Sequence, residues 1–416
     1  MASLNFLTAE QAHAISAGFG TPVYVYDQHS LERNAKAALA FPKPFGLTVR
    51  YALKAAPNAA ILRLFDQLGL HFDAGSGWEA DRTRRAGIAA EKISLSSQEL
   101  PDNLVALYEA GVRFNACSPH QLRCFGNHFP GARLGLRFNP GLGSGSTAKT
   151  NVGGPASSFG IWHEQLPAIQ ALVARYQLKI VRIHTHIGSG SDPAVWQRTA
   201  TLSLELARQF PEVQTLNLGG GYKVGRMPNE ASTDLAVIGA PIRSAMKAFA
   251  KKTGRRLHLE IEPGTFLTAN AGAVITCVQD IVNTGPEGFT FLKLDAGMTD
   301  ILRPSLYGAH HPLVIIPQQQ SQEKIDYVVV GHCCESGDLL TPALGEAEVL
   351  QPRTLTRATI GDLCIIEGAG AYCSAMNAKN YNSFPEAPEV LVDKDGQPQL
   401  IRRRQTLAQM VTNELG

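Results

Sequence analysis

Short apolar runs alternate with longer segments of helical period along the first 265 residues. The runs at 23–26, 48–52, 71–73, 92–95, 114–116, 133–138, 180–186, 215–218 and 257–261 read as strands. Between them, apolar positions recurring at helical spacing predict helices over 59–68, 78–86, 101–109, 165–176 and 195–210. Repeated strand–helix alternation implies parallel strands joined by helical crossovers. The span 22–268 therefore fits a closed (β/α)8 TIM-type barrel, whose usual length is about 250 residues; an open doubly wound sheet is the alternative. Beyond 269 the texture changes. Runs at 273–282, 289–294, 327–331, 362–367 and 390–393 are separated by turn residues and by few helical windows. They predict a mostly antiparallel β domain over 269–416, with residues 1–21 packing on it. The glutamine-rich stretch 317–322 reads as an exposed loop.

Composition narrows the function class. The 416 residues are 44% hydrophobic, enough for two buried cores, and the formal net charge is only +2. No basic stripe suggests a nucleic-acid partner; Arg402, Arg403 and Arg404 form a short surface run. The seven cysteines lie apart, without metal-ligand spacing, which argues for a reducing compartment and against a zinc site or disulfide framework. No apolar run reaches the roughly 18 residues of a membrane span, and the N-terminus lacks a secretory pattern. The expectation is a cytoplasmic protein with a small-molecule ligand and no bound metal.

Candidate chemistry gathers at the ends of the putative barrel strands, where such barrels carry their sites. Lys54 ends the run Tyr51-Ala52-Leu53-Lys54. There desolvation favours the free amine, which condenses with carbonyls; a lysine simply leaving the core for solvent is the plainer alternative. Leu218 runs into Gly219-Gly220-Gly221, a turn that admits a phosphate close to backbone N–H groups or is merely tight. His184-Thr185-His186-Ile187-Gly188-Ser189 ends another strand with imidazoles and a hydroxyl, equally readable as satisfied core histidines. Glu260-Ile261-Glu262-Pro263-Gly264 stops an alternating carboxylate pair at a Pro-Gly break, suited either to a pyridinium partner or to a rim ion pair. The loop 143–150 resembles a nucleotide-binding phosphate loop, but Ala148 replaces its second glycine and no clean helix start follows.

Taken in order, these segments resemble the fold-type III pyridoxal-phosphate decarboxylases, most closely the diaminopimelate decarboxylase family. The resemblance spans residue 20 to the C-terminus. Besides the motifs above it rests on Phe72-Asp73-Ala74-Gly75-Ser76, Ser158-Phe159-Gly160-Ile161, Arg303-Pro304-Ser305-Leu306-Tyr307, Cys334-Glu335-Ser336-Gly337-Asp338 and Gly370-Ala371-Tyr372. It implies pyridoxal 5'-phosphate as cofactor, carried by Lys54. His186 is similar to the imidazole stacked on the cofactor ring, and Glu262 to the partner of its nitrogen. Ser189, Gly219, Gly220, Gly221, Gly264 and Tyr372 match the groups that hold the cofactor, and Asp73 a carboxylate beside the lysine. Cys334 resembles the proton donor of the reaction, a role that suits a neutral thiol in a buried setting. Arg303, Tyr307, Glu335 and Tyr372 match groups that hold the substrate. The resemblance also implies a homodimer, with each site completed by the neighbouring subunit through the Cys334–Glu335 segment.

The implied reaction is decarboxylation of meso-2,6-diaminopimelate to L-lysine. Related basic amino acids or a carboxylated polyamine precursor are the alternative substrates. A non-catalytic pyridoxal-phosphate carrier and a cofactor-free aldolase using Lys54 are readings of a different class; the carrier predicts a barrel alone. One departure bears on the substrate. Thr265 follows Glu262-Pro263-Gly264 where relatives carry an arginine; Arg303, His310 or His311 are the candidates to replace that cation. Cys333 stands where an apolar residue is typical.

Overall fold

The computed structural model describes residues 4–143, 152–188, 190, 192–319 and 321–415. Two compact units are present: residues 34–223 with 232–267, and residues 1–33 with 224–231 and 268–416.

The first unit is a closed parallel barrel. Among the described residues its eight strands are Leu47–Ala52, His71–Ala74, Ile93–Leu95, Arg113–Ala116, Arg133–Asn139, Lys179–Thr185, Thr215–Asn217 and His258–Ile261. They pair in chain order, and Leu259, Glu260 and Ile261 close the ring on Leu47, Thr48 and Val49. Polar caps fix where each crossover helix starts. The Asn58, Ser76 and Ser118 side chains each accept an N–H from the first turn of the helix that follows, occupying a donor that the helix itself leaves unpaired. The helix Ala59–Gln67 then buries Ile61, Leu62, Leu64 and Phe65. The 19-residue helix Leu235–Thr253 lies outside the segments read as helical, because Gly239 and Pro241 break its pattern. Gly239 is required by packing: a Cβ there would collide with the ring of Pro42.

The second unit is a mixed, mostly antiparallel nine-stranded sheet with a short additional hairpin. One expectation is corrected here. Val23–Asp27, read as a barrel strand, pairs antiparallel with Gly272–Asn283 and parallel with Glu389–Val392. Nine apolar runs compete for eight barrel places, and all five residues of this strand are buried. An apolar run buried on both faces looks the same in either sheet. Its place is set by a core in which Val23 and Val25 pack with Leu7, Ala12, Ile275, Ile365 and Val390, roofed by the helix Ala9–Phe19. The sequence reading also passes over short strands such as Leu313–Ile316 and Pro398–Arg402, which pair with Leu363–Ile366 and Glu389–Val392. Among the described residues, no helix is long and apolar enough to cross a membrane.

Candidate active site

The barrel brings most of its expected site residues to one end. Asp73 closes toward the end of its strand, while Lys54, His186, Gly219, Gly220, Gly221, Glu262 and Gly264 all sit in the segments directly after strand ends. Lys54 lies in the single 3-10 turn Leu53–Ala55, between the strand Leu47–Ala52 and the Asn58 cap. Its charge reaches Asp73, Glu79 and His186: burial raises the two carboxyl pKa values against the pull of Lys54, whereas burial first and the Lys54 charge second lower the imidazole's. The glycine turn is wedged between two other motifs. A Cβ on Gly219 would come within 2.8 Å of the His186 ring, and one on Gly220 would collide with the Glu262 carbonyl oxygen. Gly219 also has φ +69°, a conformation that favours glycine. The Gly220 N–H donates to His186 Nδ1 at 3.3 Å. Ser189 and residues 144–150 of the phosphate-loop look-alike lie outside the described residues.

Glu262 is the electrostatic centre of this end. It is buried, which raises a carboxyl pKa, but His184, His186 and Asn217 outweigh burial and bring it down to about 2. Asn217 Nδ2 donates to Glu262 Oε1 at 2.6 Å and faces Glu260 Oε2 at 3.2 Å. The amide cannot be reversed, because its Oδ1 accepts the Gly219 N–H at 2.8 Å. On the other side His184 Nε2 stands 3.1 Å from Glu262 Oε2, off the line of a strong hydrogen bond. Burial and the Glu262 charge push the Asp73 carboxyl the opposite way, well above the usual range, against Lys54 and Arg137. Two neighbouring carboxyls thus separate into an anion at Glu262 and a readily protonated acid at Asp73.

A one-way chain of donors backs His184. Arg182, a donor only, gives Nη1–H to Asn115 Oδ1 at 3.1 Å. Asn115 Nδ2 must then donate, and it reaches Ser94 Oγ at 3.0 Å and Ser96 Oγ at 2.9 Å. Ser96 Oγ keeps its own hydrogen for His184 Nδ1, 3.2 Å away. That leaves the His184 hydrogen on Nε2, facing Glu262. Burial lowers the His184 pKa, so the neutral ring with this tautomer is the stable form. Beneath lies Glu260, ion-paired to Arg50 at 2.8 Å and to Arg182 at 3.0 Å. Sequence reading missed Ser96, Asn115, Arg137, Arg182 and Asn217 as site residues.

The second unit holds the remaining candidates. Arg303 opens the short helix Arg303–Tyr307, its guanidinium 5.9 Å from the Tyr307 ring centre. Tyr372 has φ +57° and is held in the left-handed region between Ala371 and Cys373. Cys334 and Glu335 occupy a turn pinned by Asp338, whose carboxylate accepts the Met298 and Cys333 N–H groups at 2.6 and 2.8 Å. Both Cys334 and Glu335 are exposed in the single chain, so the buried setting expected for the thiol is not supplied by its own unit.

The family described as pyridoxal-dependent decarboxylase, pyridoxal binding domain, matches residues 29–269. The diaminopimelate decarboxylase of Escherichia coli K12 is 36% identical over 98% of this chain and 97% of its own. The chain belongs to the diaminopimelate decarboxylase family. Its Streptomyces coelicolor member is 35% identical over 97% of this chain and 91% of that protein. A solved diaminopimelate decarboxylase structure superposes with TM-score 0.92 at 35% identity, over 100% of this chain and 99% of that one. The Helicobacter pylori enzyme complexed with L-lysine superposes at 0.84 with 26% identity, over 97% and 98% of the two chains. Family membership implies pyridoxal 5'-phosphate as cofactor, and the barrel end fits it. A glycine turn leaves no Cβ against its packed backbone, the buried Asp73 Oδ1 has no hydrogen-bond partner, and Glu262 is anionic.

Proposed function

We propose that this decarboxylase removes carbon dioxide from meso-2,6-diaminopimelate to give L-lysine, with pyridoxal 5'-phosphate carried on Lys54. Full-length likeness to enzymes of that name supports the substrate. The observation that carries the chemistry is a Glu262 carboxylate held ionised beside the glycine turn and in reach of the Lys54 charge network.

When bound, the cofactor supplies an electron sink for the pair left behind as carbon dioxide departs. Glu262, held ionised, would keep a proton on the cofactor's ring nitrogen, which a neutral carboxyl would not. His186 would meet the cofactor ring as a neutral imidazole, since burial and the Lys54 charge lower its pKa well below the usual value. Asp73 lies within the electrostatic reach of Lys54. Ser189, Gly219, Gly220, Gly221, Gly264 and Tyr372 are the residues that would hold the cofactor's phosphate end. Arg303, Tyr307 and Glu335 hold the far end of the substrate, and Cys334 returns the proton. The enzyme works as a cytoplasmic homodimer in which the exposed Cys334–Glu335 turn completes the partner's site. The second unit, with these groups, is what a bare cofactor-carrier barrel would lack.

The test is carbon dioxide release from meso-diaminopimelate by the purified enzyme, with borohydride reduction and peptide mapping of the labelled lysine. Turnover with label on Lys54 is expected. Label on another lysine would remove the site assignment, and absence of turnover would remove the substrate.

A further inference from the structure

Arg226 follows the glycine turn by five residues, in a segment that belongs to the second unit. No motif marks it, yet its surroundings are unusual for a structural arginine. Its Nε donates to the Gly368 carbonyl at 2.9 Å, anchoring the stem side of the guanidinium. Its Nη2 is buried and has no hydrogen-bond partner. Burial lowers its pKa to about 9, and the charge of Arg303 adds to that lowering more than any other group does. Glu230 opposes weakly, and that carboxylate already accepts the backbone N–H groups of Arg226 and Met227 at 2.9 and 3.1 Å.

Arg303 is anchored in the same manner. His311 Nδ1 faces the Glu367 carbonyl at 2.9 Å, so its hydrogen is on Nδ1 and its Nε2 is an acceptor. Arg303 Nε donates to that Nε2 at 3.4 Å. Burial, Arg226 and Arg303 keep His311 neutral, so it adds no charge of its own. Two guanidiniums are therefore each tied down at Nε, near enough to repel, with a buried N–H group unmet. Unsatisfied buried donors on like charges cost free energy unless an anion joins them.

We propose that Arg226 is a specificity-determining residue, pairing with Arg303 to bind the carboxylate at the end of the substrate that is not decarboxylated. The identity of the anion rests on the substrate reading above; the two-arginine site does not.

The experiment compares the loaded wild-type enzyme with Arg226→Gln and Arg226→Lys, the latter keeping charge and most of the stem but not the fork. Calorimetry measures binding of L-lysine, which retains that carboxylate, and of cadaverine, which has none; cofactor affinity is measured by absorbance titration. Arg226→Gln is expected to weaken lysine binding about 10- to 100-fold, raise KM for diaminopimelate comparably, and leave cadaverine binding and kcat within about twofold. Arg226→Lys should recover part of the loss. Unchanged lysine affinity, in a variant that still binds cofactor, overturns the inference while leaving the substrate reading intact. A weaker cofactor with lysine binding unaltered overturns it in favour of a phosphate site. Failure of the wild type to turn over diaminopimelate would instead sink the substrate reading.

Discussion

Asp73 and Glu262 show how one cavity end gives two carboxyls opposite characters. Glu262 is brought down to about 2 although burial opposes it, by the His184 ring first, by the electrostatic influence of His186 and by the hydrogen bond that Asn217 donates. Asp73 is pushed up by burial first and by the Glu262 charge second. The signs for stability follow from linkage. Glu262 titrates below its unfolded value, so its contribution is present above about pH 4.5 and is lost as the pH falls toward 2. Asp73 titrates above its unfolded value, so its contribution is present at low pH and disappears as the pH rises. Replacing each by its amide should thus move stability in opposite directions at pH 8. Asp73→Asn should raise the melting temperature by about 2–4 °C, with the gain shrinking toward pH 5. Glu262→Gln should cost about 1–3 kcal/mol, the loss of hydrogen bonds to a charged acceptor. Thermal unfolding of both variants across that pH range checks the pair. A destabilised Asp73→Asn at pH 8 would mean that attraction to Lys54 and Arg137 outweighs burial.

At the scale of strands, the donor chain makes a firmer statement than any single distance. Hydrogen direction is imposed from Arg182 through Asn115, and at the last link His184 Nδ1 is the acceptor within reach of the Ser96 hydrogen while the acceptor-only Glu262 carboxylate faces Nε2. Ser96→Ala should therefore release the His184 tautomer, whereas Ser94→Ala, which removes the other acceptor of Asn115, should not. Nitrogen NMR of histidine-labelled enzyme reads this directly: one Nε2–H form in the wild type and in Ser94→Ala, a mixture in Ser96→Ala, and return of the single form in Ser96→Thr. A wild-type ring protonated at Nδ1 would break the chain at its last link. The ends of this network were legible in sequence and its middle was not. Glu260 and Glu262, or His184 and His186, are polar residues at period two in apolar strands, which places each pair on one side of its strand. Ser96 and Asn115 are ordinary residues whose importance arises from strands that neighbour only in the closed ring. Gly135 is legible only afterwards, as the glycine whose Cβ would collide with Asn115 Oδ1. The strand Val23–Asp27 was misplaced for the same reason: which sheet an apolar run joins is decided by partners far along the chain, here residues 272–275 and 389–392. Arg226 carried no signal at all, since its meaning lies in the carbonyl of Gly368 and the charge of Arg303.

At the scale of the whole molecule, the Cys334–Glu335 turn stands out as an exposed pair of reactive side chains. Its own unit holds the turn rigidly through Asp338 but leaves the thiol and carboxylate exposed. A two-fold dimer in which each turn enters the other copy's site would cover it, since a closed symmetric interface repeats the same exchange twice. Mixing experiments decide it. Lys54→Ala and Cys334→Ala are each expected to be inactive alone. If sites are shared, unfolding and refolding an equal mixture places both lesions in one site of each hybrid and leaves the other site intact. Activity should then return to about a quarter of wild type, because about half of the dimers are hybrids with one good site each. If each chain instead built its site alone, every site in the mixture would carry one lesion and no activity would return. Light scattering on the same samples must show dimers in both cases, so that a null result reports on the sharing of sites and not on a failure to assemble.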